Sequence, residues 1–247
     1  MTLLRSILYF VVLIIITPPF ALIAILVRPL PPHLRYRIIG GWTRLAMLAL
    51  RFIVGLHYRV IGTENLPGRS AVVLCKHQSA WETMSLQLIL PPVAFVLKKE
   101  LLRIPFFGWG LACMPSIAID RSAGRDALAQ VEEQGRVLLE QGFWVTVFPE
   151  GTRMAPGQTH RYKIGGARLA HATGAPVVPI AHNAGDFWRR NAFLKYPGEI
   201  VVSIGPAIAT QDLTAEQING QAQAWIEGEM RRLFPHHYES KPLPAAA

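Results

Sequence analysis

Cysteine is almost missing from this chain, with Cys75 and Cys113 the only two among 247 residues. Two thiols give no disulfide framework, which excludes the stapled secreted scaffolds and fits a reducing compartment. Acidic residues are also scarce: 16 Asp and Glu against 25 Lys and Arg leave a formal net charge of +9. That excess calls for an anionic partner, either a membrane surface or a nucleic acid. No nucleic-acid-binding motif and no repeated aromatic platform occurs, so the reading is an anionic membrane surface and no nucleic acid. A Gly-x-Ser-x-Gly elbow is absent, which argues against a serine hydrolase. Internal repeats and low-complexity linkers are absent as well, and the length suits one large domain plus an appendage.

What is abundant is apolar. Hydrophobic residues make up 51% of the chain, and the mean hydropathy is positive. Ser6 to Val27 is an uncharged run between Arg5 and Arg28, long enough for a bilayer core of about 30 Å. It lacks the small-residue cleavage pattern of a signal peptide. Pro18-Pro19 interrupts it, which leaves open one kinked span or a shallow hairpin in one leaflet. Arg28, Arg35 and Arg37 follow the run while only Arg5 precedes it. The positive-inside bias then puts the downstream domain on the cytoplasmic side of the inner membrane.

His33 to Leu56 reads as a helix in which Arg37, Arg44 and Arg51 recur every seven residues on one face. Ile38, Trp42, Leu45, Ala49, Phe52 and Ile53 supply its expected apolar side, the make-up of a helix lying in the membrane interface. Residues 1–57 are therefore expected to anchor, residues 58–234 to form the globular domain, and residues 235–247 to be a loose tail. The pair His236-His237 shows no metal-ligand companions in sequence and reads as surface.

From Tyr58 onward short apolar strands alternate with helices. Strands are expected at Tyr58–Ile61, Ala71–Cys75, Val93–Leu97, Ser116–Ile119, Phe143–Phe148, Val177–Ala181 and Ile200–Ile204. Helices are expected at Ala80–Leu90, Phe107–Cys113, Ser122–Gln141, Gly165–Thr173 and Ala215–Leu233, the last with a capping box from Thr214 to Gln217. The pattern predicts an α/β fold with a mostly parallel sheet of about seven strands, covered by helices on both faces. Leu101 to Leu111 is unusually apolar and aromatic for a connection. It reads as a buried helix, or else as an acyl-chain wall or a membrane-facing surface.

Two stretches carry chemistry. Ala71 to Cys75 ends in Lys76-His77, and Ser79 with Glu82 forms a second capping-box pattern. His77 is thus expected in a strand-to-helix turn, at the carboxyl end of a strand, where open sheets place their sites. On one continuous helix, His77 and Glu82 would sit about 140° apart and could not meet. With His77 in the turn, the carboxylate can swing back and fix the tautomer of a histidine base. Glu82 as a mere capping partner is the competing reading, and Cys75 reads as core rather than as a thiol nucleophile. The second stretch, Phe148-Pro-Glu-Gly-Thr-Arg153, is a strand end followed by a tight loop. There Gly151 permits close backbone approach, and Thr152 and Arg153 can donate to an anion. Lys163 before Gly165-Gly166, and Arg121 after the strand Ser116–Ile119, offer further cations.

Lys76-His77-Gln-Ser-Ala-Trp-Glu82 followed by Phe148-Pro-Glu-Gly-Thr-Arg153, with Ile119-Asp-Arg121 between, resembles the glycerolipid acyltransferase family. The likeness is greatest to bacterial lysophosphatidic acid acyltransferases and runs from about Tyr58 to Gly205. It departs at Glu82, where the family usually carries Asp. The resemblance implies transfer of an acyl group from acyl-CoA or acyl-carrier protein to the free hydroxyl of lysophosphatidic acid. His77 would be the general base and Glu82 its orienting partner. Arg153 would bind the glycerol phosphate, with Glu150, Gly151 and Thr152 in its loop, and with Arg121 and Lys163 as weaker candidates for the same task. No metal, cofactor or covalent acyl-enzyme is implied. The rival acceptors are glycerol 3-phosphate, lyso-ornithine lipid and other lysophospholipids. The rival classes are a non-catalytic membrane scaffold and a lipid hydrolase.

Overall fold

A computed structural model describes residues 1–120 and 123–238. All seven predicted strands form: β1 (Leu56–Ile61), β2 (Val72–Cys75), β3 (Val93–Lys98), β4 (Ser116–Ile119), β5 (Trp144–Val147), β6 (Val177–His182) and β7 (Gly198–Ile204). They make one sheet in the order β1-β7-β6-β2-β5-β3-β4. From β6 to β4 the neighbours run parallel, while β7 lies antiparallel to β6 and β1 follows β7. The mostly parallel sheet is there, with two reversed strands at one edge.

The helices are α1 (Thr2–Leu26), α2 (Pro32–Ala49), α3 (Trp81–Ile89), α4 (Phe107–Ala112), α5 (Arg125–Glu140), α6 (Gly165–Thr173), α7 (Ala184–Phe187) and α8 (Ala215–Leu233). Alternation along β2 divides the core in two, since successive side chains point to opposite faces. Val73 and Cys75 join Trp81 and Leu86 of α3 and Tyr9, Tyr36 and Met47 of α1 and α2. Val72 and Leu74 join Val131 of α5, Leu169 of α6, and Ile218 and Ile226 of α8. After β2 the chain passes to β3 through α3 on the first face. After β5, next to β2, it passes the other way to β6 through α6 on the second face. Neighbouring strands whose chains leave toward opposite faces open a crevice at their carboxyl ends.

The amino-terminal segment resolves as a single helix. The 25 residues of α1 continue through Pro18 and Pro19, giving about 38 Å at 1.5 Å per residue. The Thr17 hydroxyl donates to the Leu13 carbonyl at 2.6 Å and accepts the Trp42 indole N–H at 3.0 Å, which ties the proline turn to α2. Tyr9, Ala21 and Ala24 face inward, while Leu4, Ile7, Val11, Ile14, Ile15 and Leu22 stay exposed. The helix is long and apolar enough to cross a bilayer.

The face that α2 turns to the core is a second apolar side, distinct from the one expected to meet the membrane. It buries Tyr36, Ile39, Thr43, Ala46 and Met47, and it ends in a π-helical turn, Leu50–Val54, closed by Gly55 in the left-handed region. Leu45 and Phe52, expected on the apolar side, are exposed together with Leu34 and Leu48. These four lie within about 60° of one another on the helix, bordered by the exposed Arg37, Arg44 and Arg51. So α2 is apolar on two opposite sides, one against the protein and one outward.

Two capping expectations part ways. At α8 both reciprocal bonds form: the Thr214 N–H donates to Gln217 Oε1 at 2.8 Å, and the Gln217 N–H donates to Thr214 Oγ at 3.3 Å. At α3 only half forms. The Glu82 carboxylate accepts the Ser79 N–H, but Ser79 Oγ takes the Trp81 N–H and the helix begins one residue late, after Ala80. The tail also departs from expectation at its start, because Pro235–His237 forms a 3₁₀ turn packed on the domain.

Candidate active site

The register of β2 and β5 sets the site. Leu74 pairs with Val147, so the chain leaves both strands at one level and brings the His77 turn against the Glu150 loop. The turn is then held by backbone contacts in both directions. The His77 N–H donates to Glu150 Oε2 at 2.8 Å, and the Met154 N–H donates to the His77 carbonyl at 2.7 Å.

The ring of His77 is fixed at one nitrogen. Its Nδ1 lies 2.7 Å from Glu82 Oε1, and the same carboxylate accepts the N–H groups of Gln78 and Ser79 at 2.9 and 2.8 Å. Glu82 is completely buried. Burial works against its ionisation, but the His182 and His77 imidazoles and the Ser79 N–H outweigh it and hold its pKa below the ordinary carboxylate value. An ionised acceptor at Nδ1 requires the proton there, which leaves the lone pair of neutral His77 on Nε2. The geometry is compatible with both readings of Glu82: its carboxylate caps the turn and also holds Nδ1 of His77. The Phe148 ring stacks on the imidazole at 4.0 Å and 17°, restricting its plane from below.

His182 supports the turn from inside. Its Nε2 donates to the Lys76 carbonyl at 2.8 Å, and its Nδ1 accepts the Ala184 N–H at 3.2 Å. Both nitrogens are used by a neutral ring, in keeping with a pKa pushed down by burial. Cys75 is buried with its thiol pushed well up by burial, which leaves it as core.

Lys76 carries the second buried carboxylate. Its ammonium lies 2.7 Å from Glu150 Oε1 and 2.8 Å from Glu227 Oε1 on α8, and it donates to the Gln158 carbonyl at 3.1 Å. Tyr162 donates its hydroxyl to the same Glu227 oxygen at 3.1 Å. Burial opposes the charge on Lys76, yet Glu150 and Glu227 outweigh it and raise its pKa. At Glu150 burial prevails over Lys76 and the His77 N–H, and pushes the carboxyl up to about 7.

A cavity of about 680 Å³ opens at His77. Its polar end is formed by His77, Thr152, Arg153, Arg190 and Asn191, and its long apolar wall by side chains of α1, α2, α3 and α4 with Phe95, Leu101, Phe106, Phe107 and Phe148. Arg153 Nε is buried there without a hydrogen-bond partner among the described residues. Arg190 donates to the Arg153 carbonyl at 3.2 Å. Of the expected site residues, His77, Thr152 and Arg153 line this cavity. Glu82 and Glu150 turn inward behind it. Gly151, at φ +70, lies under the Lys163 side chain, which a Cβ there would strike; neither residue lines the cavity. Arg121 lies outside the described residues. Sequence reasoning gave no role to Lys76, Phe148, His182, Arg190 or Glu227. Of these, only Lys76 and Phe148 stand inside the motifs it used.

A buried carboxylate holding a histidine at an apolar cavity that a guanidinium also lines is an arrangement able to take up a proton beside an anion and a long apolar group. The chain belongs to the acyltransferase family, whose pattern it matches over residues 57–183. It is 42% identical to the 1-acyl-sn-glycerol-3-phosphate acyltransferase of Pseudomonas aeruginosa, over 94% of this chain and 92% of that one. It is 31% identical to mouse 1-acyl-sn-glycerol-3-phosphate acyltransferase alpha, over 77% of this chain and 68% of the relative. The crystal structure of the LPA acyltransferase PlsC from Thermotoga maritima shares the fold at a TM-score of 0.78 and 20% identity, covering 94% of this chain and 95% of that one.

The Lys76 network yields a stability prediction. Lys76→Met leaves Glu150 buried without its cation and should cost about 3–5 kcal/mol, read by denaturant unfolding in detergent. Folded Glu150 titrates near 7 against 4.5 unfolded, so the folded state holds an extra proton between these values. Its contribution to stability therefore falls as pH rises through that window, and in Lys76→Met the fall should extend to higher pH. A loss under about 1 kcal/mol with an unchanged pH profile would show that Lys76 does not neutralise Glu150.

Proposed function

We propose that this protein transfers a fatty acyl group from an acyl thioester, acyl-CoA or acyl-carrier protein, to the sn-2 hydroxyl of 1-acyl-sn-glycerol 3-phosphate, giving phosphatidic acid. The observation that carries the reading is the His77–Glu82 contact of 2.7 Å at the polar end of an apolar cavity. His77 Nε2 takes the hydroxyl proton as its oxygen attacks the thioester carbonyl. Glu82 stabilises the imidazolium that forms. The tetrahedral intermediate collapses, breaking the C–S bond, and the leaving thiolate takes the proton back from His77. Arg153 holds the acceptor's phosphate, with Thr152 beside it. Glu150 and Gly151 shape that loop from behind, and Arg121 and Lys163 add positive charge. The apolar wall receives an acyl chain.

Membrane attachment follows from the exposed face of α1, the outward stripe of α2 and the exposed Phe106 and Trp109 beside α4. The arginines that follow α1 support, by the positive-inside bias, a site on the cytoplasmic side of the inner membrane. The domain of residues 58–234 then works on substrate held in an anionic bilayer, with residues 1–57 as the anchor.

His77→Ala should lower transfer about 10²–10⁴-fold. Glu82→Gln should lose much of the rate, and Glu82→Asp should keep a substantial part. The measurement is labelled acyl-CoA with and without lysophosphatidate, followed by a panel of acceptors. Full activity in Glu82→Gln would reduce Glu82 to a capping residue. Label passing to water without acceptor would favour a hydrolase, and no transfer to any acceptor a scaffold.

Arg153 meets the phosphate before and during reaction, so its contribution is mostly uniform binding. Arg153→Ala should raise KM for lysophosphatidate far more than it lowers kcat, and leave KM for acyl-CoA nearly unchanged. Arg153→Lys should recover only part, because an ammonium makes no two-pronged bond. If the defect falls on the acyl-CoA constant, Arg153 binds the donor and the acceptor has been misplaced.

For the anchor, the full-length protein should stay on membranes through high salt and alkaline wash. Arg37→Glu/Arg44→Glu/Arg51→Glu should weaken binding to anionic vesicles by about 1 kcal/mol per residue. Recovery of the full chain in the soluble fraction without detergent would refute attachment.

A further inference from the structure

The pair His236-His237 reads in sequence as surface without companions, and the structure supplies one. Asp186 of α7 lies beside both histidines, and one ligand atom from each of the three comes within 4.8 Å of the others. His237 Nε2 is 2.8 Å from Asp186 Oδ1, and its side chain is only 8% exposed. Its other nitrogen, Nδ1, is buried with no hydrogen-bond partner among the described residues. Asp186 is itself held, since Asn183 Nδ2 donates to Oδ2 at 3.0 Å. The His236 ring stands edge-on to His237, with centroids 4.1 Å apart. His236 is exposed and can turn.

We propose that Asp186, His236 and His237 bind one divalent transition-metal ion of the zinc type, which clasps the carboxyl-terminal turn to the two loops of the active site. Two imidazoles and a carboxylate suit zinc, nickel or copper better than magnesium or calcium, whose preferred ligands are all oxygen. Three protein ligands leave a fourth position for water. Ligands at about 2.0–2.1 Å from a shared ion lie at most about 4.2 Å apart, and a small rotation of exposed His236 closes the remaining gap. An ion shared with Asp186 takes His237 at Nε2, in place of the hydrogen bond now made there. A metal on Nε2 fixes the proton on Nδ1.

The position of the clasp ties it to the site already described. The Gly185 N–H, next to Asp186, donates to Gln78 Oε1 in the catalytic turn at 3.1 Å. On the other side the His237 carbonyl packs over Gly157, at φ +76, where a Cβ would collide with it. Gly157 closes the loop that begins with Arg153. The ion would thus brace the His77 turn and the Arg153 loop from behind, through a segment that touches no substrate. Its role is structural, and its binding can be measured whether or not the acyl-transfer reading holds.

The test uses the full-length protein in detergent, carrying no polyhistidine tag, stripped with chelator and then titrated with Zn²⁺ or Co²⁺. Elemental analysis after gel filtration should give one ion per chain. Cobalt should give the visible absorption of a nitrogen-ligated site, and zinc should raise Tm, since a ligand that binds only the folded state stabilises it. His236→Gln, His237→Gln and Asp186→Asn should each weaken binding at least about tenfold, the lower bound for losing even an outer partner of a metal site. Each should also lose the rise in Tm. The exposed position of His236 lets His236→Gln fold even if His237→Gln does not. His57→Gln, on the far edge strand β1, should bind as the parent does. Sub-stoichiometric retention, unchanged affinity in His236→Gln and Asp186→Asn, or an equal loss in His57→Gln would overturn the site and leave only an Asp186–His237 ion pair.

Discussion

Everything at the site depends on two carboxylates that are buried and hold the same short turn. Glu82 takes the imidazole of His77 and the N–H groups of the next two residues. Glu150 takes the N–H of His77 itself and faces the Lys76 ammonium. Neither oxygen pair reaches solvent freely, so each must be satisfied by the turn or cost the desolvation of an anion. That requirement fixes the turn more tightly than a helix cap could. Because Glu150 arrives from the β5 loop, the Arg153 loop and the His77 turn are located by one constraint. Moving either carboxylate displaces both.

The apolar half of the site depends on the amino-terminal helices. Leu13, Thr17, Phe20 and Ala21 of α1, and Ile39, Trp42 and Thr43 of α2, line the cavity that opens at His77. Tyr9, Tyr36 and Met47 share a core with β2 and α3. A segment that reads as an anchor is therefore also a wall of the binding site. Its outward faces are apolar and exposed, and its inward faces are packed as any core is. One helix pair so joins an outward apolar surface to the shape of the cavity.

Much of the fold was legible because its signals are local. Most strands are short apolar runs ended by Gly, Pro or a charge, and all seven appear within a few residues of expectation. His77 and Glu82 were legible for the same reason, since a strand stop and a helix start lie within six residues of sequence. Interactions across the chain were not. Lys76 meets Glu227 from 151 positions away and His182 from 106, and no periodicity records either. Asp186 stands beside His237 only after β6 has turned into α7. The inward face of α2 went unread because the apolar side was assigned to the membrane interface alone, while apolar side chains cover a second side as well. Arg121 lies outside the described residues.

The glutamate at position 82, where the family pattern usually has aspartate, finds its account in the way α3 begins. Ser79 Oγ binds the Trp81 N–H rather than that of residue 82, and the first helical residue is Trp81, with Glu82 in its first turn. From there the carboxylate must reach back over the bend to the N–H groups of Gln78 and Ser79 and also to Nδ1 of His77. The added methylene supplies that reach, at a cost in side-chain ordering entropy. The entropy is recovered by three hydrogen bonds to one buried anion, each charge-assisted and so stronger than a neutral bond. A later helix start and a longer acid are thus one structural choice, and together they preserve the short contact on which the orientation of His77 rests.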